Sequence, residues 1–205
     1  MTEEKYKLTE IQYNTLKEVT SLGIQKATFA LEQMVDKEIG ITVPDVKLIP
    51  FQEVSEYLGG GESEIVGLYL KMLGDISGSV LLAFSKNSAY TLAGLLVGED
   101  STETEYLSEL GKSALKEMGN ILTNTYLNIM AEMMEVNTFP SIPHFAEDML
   151  GAIIDFILIE ISEVSDYALI VKTKFSVSNV EIDGNFLIFP NKESISLMFK
   201  KMGIE

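Results

Sequence analysis

The sequence predicts a protein of mixed helices and strands built from two similar halves. Three observations carry that expectation. Residues from about Thr9 to Lys37, and again from about Ser108 to Val136, repeat apolar side chains at spacings of three and four, the pattern of a long helix with one buried face. Short apolar segments bounded by glycine or proline read as strands. The order of these elements occurs twice along the chain.

In the first helix the apolar positions are Leu16, Val19, Leu22, Gly23, Ala27, Ala30, Leu31 and Met34, and the helix ends before Gly40. Ile41 to Ile49 alternates apolar and polar residues like a strand and is closed by Pro50. Phe51 to Leu58 reads as a short helix, followed by a loop at Gly59-Gly60-Gly61. No Lys-Ser or Lys-Thr follows those glycines, so they are not a phosphate-binding loop. Ile65 to Leu73 and Ile76 to Phe84 form a hairpin turned at Gly74-Asp75. Asn87 to Val97 is a helix stopped by Gly98, and Glu99 to Glu105 is an acidic linker. After the second long helix, Pro140 and Pro143 interrupt regular structure. Ala146 to Asp155 is expected to be helical. Phe156 to Ile161, Tyr167 to Val177 and Glu181 to Phe189 are expected as strands, and Lys192 to Met202 as the last helix.

Composition narrows the function. With 205 residues, 46% hydrophobic and 22% charged, the chain is globular and long enough to bury a core without a metal or disulfide. Cysteine is absent, which excludes disulfide scaffolds, Cys-ligated metals and Cys nucleophiles. The single histidine, His144, leaves little room for His triads or multi-His metal sites, and reads as a local hydrogen-bonding residue. All 15 positive charges are lysines, and 31 acids bring the net charge to −16. Such a chain repels nucleic acid and anionic lipid, so neither is an expected partner. Without arginine, any work on phosphate must draw its electrostatics from elsewhere. Glu132, Glu135, Glu147 and Asp148 lack the loop spacing of a hard-metal site and read as solvated acids. The N-terminus has no apolar core, and Met149 to Ile161 is too short and too charged to span a bilayer, so the expected location is cytoplasmic.

The two halves align residue by residue. At an offset of 99, Leu16-Lys17-Glu18 falls on Leu115-Lys116-Glu117 and Pro44 on Pro143. At an offset of 106, Ile76-Ser77-Gly78 falls on Ile182-Asp183-Gly184. The expected organisation is one domain over residues 1–205 with repeats at approximately 9–98 and 108–203.

Within the second long helix, Ser113, Glu117 and Asn120 stand at i, i+4 and i+7 and therefore share a face. A carboxamide can hold a water by two hydrogen bonds and aim its oxygen at an electrophile. A glutamate beside it can pair with a lysine of a partner.

The run Ser113-x3-Glu117-x2-Asn120-x22-Pro143 resembles the signature of the CheC/CheX/FliY phosphatases of bacterial and archaeal chemotaxis. That signature is Asp or Ser, then x3-Glu-x2-Asn-x22-Pro, and CheC proteins carry it twice. Here the first copy reads Asn14-x3-Glu18-x2-Ser21-x22-Pro44. The resemblance implies an α+β fold in which both halves share an antiparallel sheet and the two long helices lie outside. It also implies an enzyme that hydrolyses the aspartyl-phosphate of the response regulator CheY. Glu117 would pair with a lysine of the regulator, Asn120 would orient the attacking water, and Ser113 and Pro143 would support the motif. The protein would need no cofactor of its own, because the magnesium ion belongs to the regulator. In the first copy, Ser21 replaces the amide and is too short to orient the same water. That site, with Glu18, is therefore expected to be degenerate, and Asn14 and Pro44 complete it. In CheC proteins the segment matching Glu147 to Leu150 binds the receptor deamidase CheD. Asp148 would be the polar contact and Met149 or Leu150 the anchor. The alternative reading is a largely non-catalytic module that sequesters CheD.

Overall fold

A computed structural model of the chain describes residues 9–35, 38–98, 106–160, 166–177 and 180–203. The acidic linker from Glu99 to Glu105, and the expected element ends at Lys37 and Ile161, lie outside the described residues. The first element, α1 (Glu10–Val35), starts with a reciprocal cap. Gln12 Oε1 accepts from the Thr9 amide at 2.8 Å, and Thr9 Oγ1 accepts from the Gln12 amide at 3.3 Å. Next come β1 (Ile39–Pro50), a single helical turn at Phe51–Glu53 and α2 (Val54–Tyr57). β2 (Glu64–Gly74) and β3 (Gly78–Ser85) form the expected hairpin, with Met72 opposite Gly78. Gly78 has φ 148°, and a Cβ there would lie 2.1 Å from the Phe189 carbonyl oxygen, so only glycine fits. α3 (Lys86–Val97) opens on Ser85, whose side chain accepts from the Ser88 amide, and closes on Gly98 with φ 77°.

The second half begins with α4 (Glu109–Met134), capped by Ser108 Oγ, which accepts from the Gly111 amide at 3.0 Å. It ends at Glu135 in the left-handed region, φ 53°. β4 (Thr138–Pro140), β5 (His144–Met149), α5 (Leu150–Glu160), β6 (Tyr167–Val177), β7 (Val180–Pro190) and α6 (Lys192–Lys201) follow.

Two expectations are corrected here. Ala146 to Met149 is strand, not helix, and Phe156 to Glu160 is helix, not strand. β5 pairs with β2 from Glu64–Met149 to Tyr69–His144 and covers what would otherwise be an open edge. The isoleucine-rich run after it has strand propensity. Its buried residues, however, are Leu150, Ile153, Ile154 and Ile157, a helical spacing that fits α5 against the sheet.

The strands form one antiparallel sheet in the order β1-β6-β7-β3-β2-β4, with β5 also on β2. Exchanging β1, β2 and β3 for β5, β6 and β7 returns the same neighbours: β1–β6 becomes β5–β2, and β3–β7 maps onto itself. Because side chains alternate across the sheet, each central strand feeds two cores. Val80, Leu82 and Phe84 of β3 join the larger core with α1, α3 and α4, whereas Leu81 and Ala83 face the smaller one with Phe51, Val54 and α5.

α1 and α4 lie side by side on the larger core. They approach closely at Gly23, where a Cβ would be 3.1 Å from Tyr126 Cδ2. Gly119 of α4 rests on β2 in the same way, its missing Cβ 2.9 Å from Leu68 Cδ1. Leu22, expected in the buried stripe of α1, is instead 38% exposed, while Leu16, Val19, Ala27 and Leu31 are buried. Among the described residues, no helix is long and apolar enough to cross a membrane.

Candidate functional site

The face of α4 that turns from the core is set by its buried residues, Leu115, Met118, Gly119 and Leu122. Ser113 and Glu117 are exposed on the opposite side, and Asn120 is half-buried beside them. Among the described residues, Glu117 has no ion pair or hydrogen bond, so its carboxylate is free for a cation brought by another molecule. The Asn120 amide is held at one end. Asn124 Nδ2 donates to Asn120 Oδ1 at 2.7 Å and to the Asn120 backbone oxygen at 3.0 Å. Asn124 extends the spacing of Ser113, Glu117 and Asn120 by one more helical step, which is the sequence signal that could have found it.

On α1 the corresponding residues Asn14, Glu18 and Ser21 are all exposed. The two motif prolines have matching surroundings. Thr42 faces Lys174 and Asp45 faces Lys172, so Val43 and Pro44 stand opposite Thr173 alone. Pro140 faces Met72, the Ser141 amide donates to the Lys71 carbonyl while Ser141 Oγ accepts from the Lys71 amide, and His144 faces Tyr69, so Ile142 and Pro143 stand opposite Leu70 alone. Each proline thus sits in a bulge where its missing N–H breaks no ladder bond.

The residues proposed for partner contact separate. Asp148 is exposed in β5, its Oδ1 accepting from the Met149 amide at 2.7 Å, and Met149 is 49% exposed. Leu150 is fully buried in the smaller core, so of the two candidate anchors only Met149 is open to a partner. Phe156 and Ile159 of α5 are also exposed, at 51% and 82%, and the Phe156 ring lies 5.6 Å from that of Tyr69. His144 is exposed, its ring 6.3 Å from that of Tyr69.

Glu147 is not a merely solvated acid. Its Oε1 accepts from the Tyr90 hydroxyl at 2.8 Å and pairs with Lys86 Nζ at 3.0 Å, tying β5 to α3. Partial burial pushes the Glu147 carboxyl up, but the bonds from Tyr90 and Lys86 outweigh it and leave the group below its usual value. A carboxyl held low in the fold contributes stability above its unfolded pKa of about 4.3 and loses it as pH falls through the lower folded value. Glu147→Gln should therefore lower the urea midpoint at pH 7, and the difference from the parent should close once pH drops well below about 4.

No family model matches the chain. Its fold is shared with Thermotoga maritima FliY, with a TM-score of 0.76 at 19% identity over 97% of this chain and 98% of that one. The FliM middle domain of H. pylori superposes with a TM-score of 0.69 at 12% identity over 95% of this chain and 99% of its own. The chain thus has the fold of T. maritima FliY and of the FliM middle domain, with a Glu–Asn pair on the outer face of one long helix. It is 31% identical over 200 residues to the CheY-P phosphatase CheC of Bacillus subtilis, covering 96% of each chain. The flagellar motor switch phosphatase FliY of the same organism matches 114 residues at 25% identity, 55% of this chain and 29% of that protein. The chain belongs to the CheC family.

Proposed function

We propose that this chain hydrolyses the aspartyl-phosphate of phosphorylated CheY in the cytoplasm, acting through the exposed face of α4. The observation that carries the reading is an unengaged Glu117 beside an Asn120 amide whose Nδ2 is unpaired among the described residues and whose Oδ1 keeps a second lone pair next to the bond from Asn124. Glu117 docks a lysine of the regulator. Asn120 enters beside the acyl phosphate and holds a water in line with phosphorus. The water oxygen bonds to phosphorus as the bond to the aspartyl oxygen breaks, and inorganic phosphate leaves. The magnesium ion and the lysine that neutralise the phosphoryl oxygens belong to the regulator, which accounts for a phosphatase without arginine. We read residues 9–98 and 108–203 as repeats, supported by the exchange symmetry of the strand order and the two proline bulges. In the first repeat Ser21 offers a hydroxyl where the second offers an amide, so turnover rests on α4. The test is the decay of phospho-CheY with the parent, Asn120→Ala and Ser21→Ala. Asn120→Ala should lose nearly all acceleration and Ser21→Ala far less; the reverse order would place catalysis on α1.

A second reading, binding of CheD, is favoured by the exposed Met149 beside Asp148, with Phe156 and Ile159 also exposed on the helix that follows. Burying a charge in such a surface is costly, so Phe156→Asp should weaken CheD binding at least about 30-fold by calorimetry. Unchanged affinity would remove α5 from the interface.

A further inference from the structure

We propose that Asn124 is a positioning residue for the α4 site, fixing which end of the Asn120 amide meets the substrate; the inference rests on the phosphatase reading above. The backbone oxygen of Asn120 can only accept a hydrogen bond, so the Asn124 side-chain atom 3.0 Å from it must be the nitrogen. That same nitrogen lies 2.7 Å from the Asn120 side-chain amide, so the atom it meets there must be the acceptor, Oδ1. One residue thereby reads the helix backbone and imposes the polarity it finds there on the next amide. Asn120 Oδ1 is turned along the helix toward Asn124, and Nδ2, without a partner among the described residues, is left to point elsewhere.

The orientation matters because the two ends do different work. Oδ1 keeps a second lone pair that can accept a hydrogen bond from a water, and Nδ2 can donate to an oxygen of the bound regulator. A flipped amide would offer a donor where the water needs an acceptor. An exposed asparagine in solution samples both orientations, and the bond from Asn124 removes that freedom before docking. The first half lacks the arrangement, since Ser21 and Gln25 occupy the matching places on α1.

The experiment measures phospho-CheY dephosphorylation by the full chain carrying Asn124→Asp, Asn124→Ala or Asn124→Gln, with kcat and KM separated and thermal stability recorded. Asn124→Asp is nearly isosteric but offers acceptors only at neutral pH, so it should turn the Asn120 amide around. It should lower kcat about tenfold, more than Asn124→Ala, with KM unchanged because Glu117 still docks the regulator. Asn124→Gln keeps a donor at helical spacing and should retain activity within about twofold. In an Asn120→Ala background the Asn124→Asp effect should vanish. Equal losses in Asn124→Asp and Asn124→Ala that track a fall in stability, or a rise in KM with kcat intact, would overturn the positioning role. If Asn120→Ala abolishes activity while all three Asn124 variants match the parent, the positioning inference alone fails. If Asn120→Ala is itself fully active, the phosphatase site fails with it.

Discussion

Asn120→Ala should slow the dephosphorylation of phospho-CheY by about 10²-fold or more at saturating regulator, the scale of losing one preorganised polar group at a reacting centre. The magnitude follows from how little else the protein supplies. It has no arginine, and among the described residues no three potential metal ligands gather. In the proposed reaction, what α4 brings to an acyl phosphate is a docking carboxylate and an amide that organises a water. Removing the amide leaves the regulator's own slow hydrolysis. Glu117→Ala acts on a different step, since its carboxylate meets the partner and not the nucleophile; it should raise KM more than it lowers kcat. Neither change should alter folding, because Glu117 is exposed and Asn120 half-buried, and circular dichroism with a urea titration checks that. Near-parent turnover by Asn120→Ala would move the chemistry off this helix.

Most elements were legible because local and tertiary signals agree. Thr9, Ser108 and Gly98 mark helix ends by capping chemistry that acts within a few residues, and the structure uses all three. The exposed face of Ser113, Glu117 and Asn120 needs only helical geometry, so it too could be placed from spacing. The segment from Ala146 to Glu160 misled because its outcome is decided at a distance. β5 is a strand because β2 offers it an edge, and α5 is a helix because the smaller core accepts four of its side chains at helical spacing. Leu150 was open as an anchor for the same reason, since burial beneath a second layer leaves no trace in the residue itself. Asn124 and the Tyr90–Glu147–Lys86 cluster escaped because each is ordinary alone. Only the contact, one helical turn away or across 57 residues, makes it specific.

Tyr126→Ala should destabilise the protein by about 3–5 kcal/mol, the usual cost of deleting a large buried aromatic side chain. Tyr126 is 1% exposed, its ring centroid lies 5.0 Å from that of Phe186 on β7, and its edge fills the space left by Gly23. It is thus the point where α1, α4 and the sheet meet. Alanine there would leave a void that none of the three can close without moving, since Gly119 already rests on Leu68. Set against a typical total of about 5–15 kcal/mol, the loss is large enough to read directly as a shift in urea midpoint. The proposed catalytic face of α4 points the other way, so the folded fraction of Tyr126→Ala should dephosphorylate the regulator at near the parent rate below its melting temperature. A fall in activity per folded molecule would instead mean that α4 is held in its working position by α1. The halves would then be coupled mechanically through one aromatic contact.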